Sequence, residues 1–248
     1  MRVLVAVPVY NEERYLPRVL SAVRRHGHDV LVVNDGSTDG TARLLRAERE
    51  LHTITHSTNR GYGQSLIDAF AFAAERRYDW VITIDCDEQH EPAQIPEFVR
   101  AARRNRTDVI SGSRYRVAHP DDDEPPADRR QINRVVTDLL RQLLGLRLTD
   151  SFCGFKAHRV AALERLALDE PGYAFPLQFW VQCVRAGLRI EELPVHRVYR
   201  DETRQFGGRL NDPAARLQHY LEVLTAELRR PATRIAAPAP ACGRSACE

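Results

Sequence analysis

The chain has 248 residues, with 36 arginines and lysines against 34 aspartates and glutamates and a formal charge of +2. That balance excludes an electrostatic claim on nucleic acid, and 43% hydrophobic with 28% charged residues is the make-up of a globular α/β protein long enough to cover a large sheet. No run of about 18 apolar residues occurs, so no membrane-spanning helix is predicted, and five cysteines without a C-x-x-C pair suit a reducing cytoplasm better than secretion.

Residues 2–9 are a continuous β-branched run, which predicts a strand buried on both faces. Asn11 is placed to cap a helix with Glu12 and Glu13 in its first turn and Leu16, Val19, Leu20 and Val23 on one face. Residues 29–33 predict a second buried strand, and Asp39 the cap of a helix carrying Leu44 and Leu45. A short strand at 53–56, a helix over 64–77, a strand at 79–84, a helix around 95–103 and a strand at 107–111 follow. Such alternation means a mostly parallel sheet with helices on both faces.

Beyond residue 118 the pattern changes. Residues 119–126 are acidic and proline-rich, a surface loop. The helix over 131–145 carries Ile132, Val135, Val136, Leu139, Leu140, Leu143 and Leu144, with Arg130, Arg134, Arg141 and Arg147 opposite. Such a helix suits core packing and also an anionic bilayer surface. Helices at 157–168 and 175–186, a strand over 189–199 and a helix at 213–229 complete the domain. Residues 231–248, low in bulky apolar side chains, are expected to be disordered.

In parallel α/β sheets ligands bind outside the carboxyl ends of the strands, and the polar clusters of this chain fall there. They are Pro8-Val9-Tyr10-Asn11-Glu12, Asn34-Asp35-Gly36-Ser37, Asn59-Arg60-Gly61-Tyr62-Gly63, Asp85-Cys86-Asp87-Glu88-Gln89-His90 and Gly112-Ser113-Arg114. Along an extended backbone Asp85 and Asp87 face the same side and can share Mg²⁺ or Mn²⁺, with Gln89 beside them and open positions left for phosphate oxygens. The plainer alternative is that the two aspartates end a strand and cap the next turn. Asp35 can accept from a base N–H or a ribose hydroxyl, and Gly61 permits close approach of the chain or serves only a turn. Arg114 and Arg204 present forked donors for phosphate, although either alone is equally an ordinary surface arginine.

These motifs, with Asp150-Ser151-Phe152-Cys153-Gly154-Phe155-Lys156, Gly172-Tyr173-Ala174-Phe175 and the loop from Arg204 to Arg209, resemble those of family 2 glycosyltransferases. Among these they are most similar to the dolichol- or polyprenol-phosphate mannosyltransferase branch. The resemblance implies a single GT-A domain over 1–230, Rossmann-like and mostly parallel, with a nucleotide-sugar half (1–118) and an acceptor half (119–230). It implies inverting transfer of a hexose from GDP-mannose or a UDP-hexose to a polyprenyl phosphate at the membrane surface. Pro8, Tyr10, Glu12, Asp35, Gly61, Asp85 and Cys86 would bind the donor, and Asp85, Asp87 and Gln89 the metal. Asp87, Arg114 and Arg204 would carry catalysis, and Ser113, Lys156 and Arg209 the acceptor phosphate. Asn34, Cys153, Lys156 and Gln178 depart from the branch pattern. With Gln178 where a carboxylate is usual, one base for a hydroxyl acceptor is missing, which favours an acceptor that is already anionic. A hydroxyl acceptor, or a nucleotide-sugar-binding relative without activity, is the competing expectation.

Overall fold

The computed structural model describes residues 1–199 and 206–231. Arg204 and the expected tail beyond Pro231 lie outside the described residues. In chain order the strands are β1 (Val3–Val9), β2 (Asp29–Asn34), β3 (His52–Thr55), β4 (Trp80–Thr83), β5 (Val109–Ser113), β6 (Lys156–Arg159) and β7 (Ile190–Pro194). The helices are α1 (Leu16–Arg24), α2 (Thr41–Ala47), α3 (Tyr62–Glu75), α4 (Ile95–Arg103), α5 (Ala127–Leu144), α6 (Val160–Leu163), α7 (Phe175–Arg185) and α8 (Pro213–Arg229). The strands form one seven-stranded sheet in the order β3-β2-β1-β4-β6-β5-β7.

β1 pairs in parallel with β2 and β4, and β2 with β3, so the ends of the first four strands open on one edge. β6 runs antiparallel between β4 and β5, placing Ala157 opposite both Ile82 and Ile110. The sequence pattern predicts a helix from 157. Four residues carry too little periodicity to reveal a strand, and pairing on both sides decides the conformation.

Side chains along β1 alternate between the two faces, as a period of two requires. Leu4 and Ala6 join a core with residues of α3, α5 and α7. Val3, Val5, Val7 and Val9 join another with residues of α1 and α4. Each fully buried valine or leucine contributes roughly 1.5–3 kcal/mol, so the strands that carry the site stand on the most heavily buried part of the molecule.

Two local expectations change. α1 begins at Leu16 with a proline in its first turn, and Asn11 does not cap it. Asn11 takes φ +56°, a region asparagine tolerates, and its side-chain oxygen accepts from the Thr38 amide at 2.8 Å. β7 stops at Pro194 rather than reaching 199. α4 and α8 keep their predicted bounds, α8 behind a true cap: the Asp212 carboxylate accepts from the Ala215 amide at 2.7 Å.

Candidate active site

A cavity of about 700 Å³ opens at the carboxyl ends of β1, β2, β4 and β5. One end is polar. Pro8, Tyr10 and Glu12 line it from β1 onward, Asp35 from the end of β2, Gly61 from the loop before α3, and Asp85, Cys86, Asp87, Gln89 and His90 from the segment after β4. The loops beneath are tied to one another. The Asn11 amide donates to Ser37 Oγ (2.9 Å), the Glu12 amide to Thr41 Oγ1 (2.9 Å), and the Gly40 amide to Glu13 Oε2 (2.7 Å). Asp39 accepts from the Thr41 amide at 2.9 Å, where α2 begins.

Asp35 is 3% exposed. Its carboxylate accepts from the Arg60 and Gly61 amides at 2.7 and 2.8 Å. Gly61 has φ +106°, and a Cβ there would overlap the Pro171 carbonyl, so this tight passage admits glycine alone. Asp85 accepts from the Tyr62 hydroxyl at 3.0 Å, and His90 Nε2 lies 3.4 Å from its other oxygen. Burial pushes the Asp85 carboxyl up, but His90, then the Tyr62 hydroxyl and the Lys156 charge, hold it below its ordinary value. A Cβ at Gly154 would overlap the Asp85 carboxylate, so the glycine leaves the room that Asp85 occupies.

Residues 86–90 form a bend, with Glu88 at φ +57°. Asp85 and Asp87 therefore do not alternate along an extended strand, yet both line the cavity. Asp87 Oδ1 accepts from the Gln89 amide at 3.1 Å, folding the turn onto itself. Among the described residues no group of three or more His, Cys, Asp or Glu side chains is placed to hold a metal ion. Oxygen ligands from one or two carboxylates, completed by substrate phosphates, are what Mg²⁺ ordinarily takes, and Asp85, Asp87 and the side-chain carbonyl oxygen of Gln89 are a donor set of that chemistry.

Arg114 reaches the cavity wall, but most of its fork is engaged elsewhere. Nε and Nη2 donate to the two oxygens of buried Asp150 (2.7 and 3.0 Å), and Nη1 to the Tyr199 hydroxyl (2.9 Å). Burial opposes charge on both partners; their attraction outweighs it, holding Arg114 above and Asp150 below the ordinary values. The expected phosphate fork is thus first a buried bidentate ion pair.

Ser113, Lys156 and Arg209 are not among the lining residues. Ser113 Oγ shares a hydrogen bond with Thr149 Oγ1 at 2.6 Å. Lys156, 6% exposed, donates to the Cys153 carbonyl, and burial lowers its pKa. Both side chains are buried, Ser113 at the end of β5 and Lys156 at the start of β6. Arg209 is exposed in the 3-10 turn Gly208–Asn211. Gln178 is buried, its amide donating to Asp169 and Glu227 at 2.7 and 2.9 Å.

The other end of the cavity was not foreseen from the sequence. Ile132, Phe152, Pro176, Leu210 and Tyr220 give it apolar walls, together with Arg129, Tyr173, Phe206, Arg216 and His219. Tyr173 stacks on Tyr62 (5.8 Å between centroids) and meets the edge of Phe206 at 5.3 Å. The guanidinium carbons of Arg129 and Arg216 lie 4.9 and 4.4 Å from the Phe206 centroid. Phe152 stacks on Tyr220 at 4.9 Å. Arg216 is 3% exposed and paired with Asp128. These residues come from α5, α7, α8 and three connecting segments; Phe152, Tyr173 and Phe206 sit in stretches that the sequence marks out, and the helical residues are announced by no local motif.

Comparison with known proteins agrees with this architecture. The family model for Glycosyl transferase family 2 matches residues 4–167. An undecaprenyl-phosphate mannosyltransferase of Micrococcus luteus is 36% identical over 219 residues, covering 84% of this chain and 89% of that protein. A polyprenol monophosphomannose synthase of Mycolicibacterium smegmatis is 29% identical over 204 residues, covering 78% and 76%. Glucosyl-3-phosphoglycerate synthase of Mycobacterium tuberculosis, solved with Mn²⁺, uridine diphosphate and glucosyl-3-phosphoglycerate, superposes with a TM-score of 0.70 at 19% identity, covering 91% of this chain and 79% of that one. The chain belongs to glycosyl transferase family 2, as a glycosyltransferase with the GT-A fold that resembles the polyprenol-phosphate mannosyltransferase branch.

Proposed function

We propose that this protein transfers a hexose, with inversion, from a nucleoside diphosphate sugar to a polyprenyl phosphate. The observation that carries this reading is the two-ended cavity, with carboxylates and tied loops at one end and apolar and aromatic walls with arginines at the other. The names of the Micrococcus and Mycolicibacterium relatives support mannose and a lipid phosphate; UDP in the Mycobacterium structure keeps a UDP-hexose beside GDP-mannose as donor. In this division of labour residues 1–118 hold the donor and 119–230 the acceptor.

Asp35 would receive the base or ribose of the donor, with Pro8, Tyr10, Glu12, Gly61 and Cys86 forming the surrounding wall. Asp85, Asp87 and Gln89 would hold a divalent ion, Mg²⁺ or Mn²⁺, which when bound supplies Lewis-acid stabilisation of the leaving diphosphate. His90 and Tyr62 keep the Asp85 carboxylate ionised and aimed. At the far end Arg129 offers its charge to a lipid phosphate, while Ile132, Phe152 and Tyr220 accept the first prenyl units. A phosphate oxygen is already anionic and needs no base, and the described lining of that end holds no carboxylate. A hydroxyl acceptor would need His219, which also lines that end, to take its proton.

The test is an acceptor panel with GDP-mannose and a UDP-hexose in turn, in the presence of Mn²⁺. Nucleoside diphosphate released only when a polyprenyl phosphate is added supports the proposal. Release with sugar or alcohol acceptors instead would transfer the argument to His219, and binding without release would mark an inactive relative.

No helix among the described residues is long and apolar enough to cross a membrane. On α5, Val135 and Leu143 are 36% and 55% exposed, beside exposed Arg134 and Arg141. This face would rest on the anionic cytoplasmic leaflet. Co-sedimentation with anionic but not zwitterionic vesicles, reduced several-fold in Leu143→Glu, is the expected result; equal sedimentation of both proteins would remove α5 from the membrane.

A further inference from the structure

His56 follows β3, behind Asp35 and outside the cavity lining. Its side chain is 4% exposed, with Nδ1 2.6 Å from Asp35 Oδ1 and Nε2 2.8 Å from Asp68 Oδ2. Ionised carboxylate oxygens only accept, so in the short contact with Asp35 the ring nitrogen is the donor. Asp68 is held in turn by the Gln64 side-chain amide at 2.8 Å and the Arg60 guanidinium at 3.4 Å. Asp35 Oδ1 thus takes the imidazole and the Arg60 amide, whereas Oδ2 takes the Gly61 amide alone and keeps acceptor capacity. A buried carboxylate oxygen is costly to leave short of donors; His56 supplies one to Oδ1, the oxygen that the Arg60 amide also meets.

We propose that His56 is a positioning residue for the donor: clamped between Asp35 and Asp68, it fixes the Asp35 carboxylate with one oxygen free to meet the donor nucleoside. The inference rests on the nucleotide-sugar reading given above. His56 touches no substrate, so it governs the affinity for the donor and leaves the transfer step unchanged.

The two nitrogens of the ring separate this role from simple packing. In His56→Asn the amide nitrogen falls near the Nδ1 position and still donates to Asp35; in His56→Gln it falls near Nε2 and reaches only Asp68. Expected for His56→Gln is a donor KM and a nucleoside diphosphate Kd about tenfold higher, the loss of one charge-assisted hydrogen bond, with kcat within about twofold. His56→Asn should restore both constants to within about threefold. An unchanged donor KM in His56→Gln, or equal losses in both variants that follow a shared fall in Tm, would each overturn the inference. Calorimetry with GDP and UDP in Mn²⁺ keeps the two ideas apart. If the unaltered protein binds neither nucleotide, the donor reading fails and this inference with it; if it binds one and His56→Gln binds it as tightly, only the role of His56 falls.

Discussion

The two ends of the cavity are built by different means. At the carboxylate end, parallel strands in fixed register deliver their terminal residues to one edge, and short loops cross-linked through Asn11, Glu13, Asp39 and Asp35 hold them. At the aromatic end, side chains from three helices and their connections meet only because those elements pack together. Register makes the first end a matter of local sequence; packing makes the second a matter of the whole fold. The same difference predicts that substitutions at the first end act on chemistry and donor binding, and those at the second on acceptor binding.

The largest effect is expected at Asp87. Asp87→Ala should lower kcat by about a thousandfold, as loss of a group that stabilises transition-state charge does, with no change in Tm. A mere tenfold fall would shift the weight of the carboxylate end to Asp85. Next is the ion pair beneath the cavity. Asp150→Ala leaves the Arg114 guanidinium buried without its carboxylate and should cost about 3–5 kcal/mol in urea unfolding; a loss below about 1 kcal/mol would show that the arginine finds water or a ligand instead.

The core behind the aromatic end adds a pH dependence. His158 on β6 is buried between Phe70 and Phe179, and burial, with the Lys156 charge, depresses its pKa to about 3. Its folded value lies below the unfolded 6.5, so the neutral ring contributes stability that is full above pH 6.5 and is lost as pH falls toward 3. The slope expected from this residue is about 1.4 kcal/mol per pH unit. His158→Leu should flatten that part of the stability–pH curve, and an unchanged slope would place the acid sensitivity elsewhere. The smallest effect separates the ends themselves. Phe206→Ala removes the ring beside Arg129 and Arg216 and should raise the acceptor KM about fivefold with the donor KM unchanged; a matching rise in donor KM would join the two ends into one subsite.

Much of this was legible in the sequence where residues act near their neighbours. The alternation of strands and helices, α4, α8 and the cluster from Asp85 to His90 needed only local pattern. β6 escapes local pattern because four residues between two strands carry no period of their own. Asn11 departs from its expected capping role because a cap and a loop tie use the same side-chain oxygen. Arg114 was placed correctly at the end of β5, but its pairing with Asp150, 36 residues away, depends on tertiary packing. For the same reason Ile132 and Tyr220 read as ordinary apolar helix residues until the helices come together. Arg204 lies outside the described residues.

The most direct test is a crystal structure with Mn²⁺ and the nucleoside diphosphate that calorimetry selects, with the metal located by anomalous scattering. One manganese peak is expected between Asp85 or Asp87 and the diphosphate, with the nucleoside against Asp35. A nucleotide bound with its phosphates away from both aspartates, or a manganese peak outside the cavity, would contradict it.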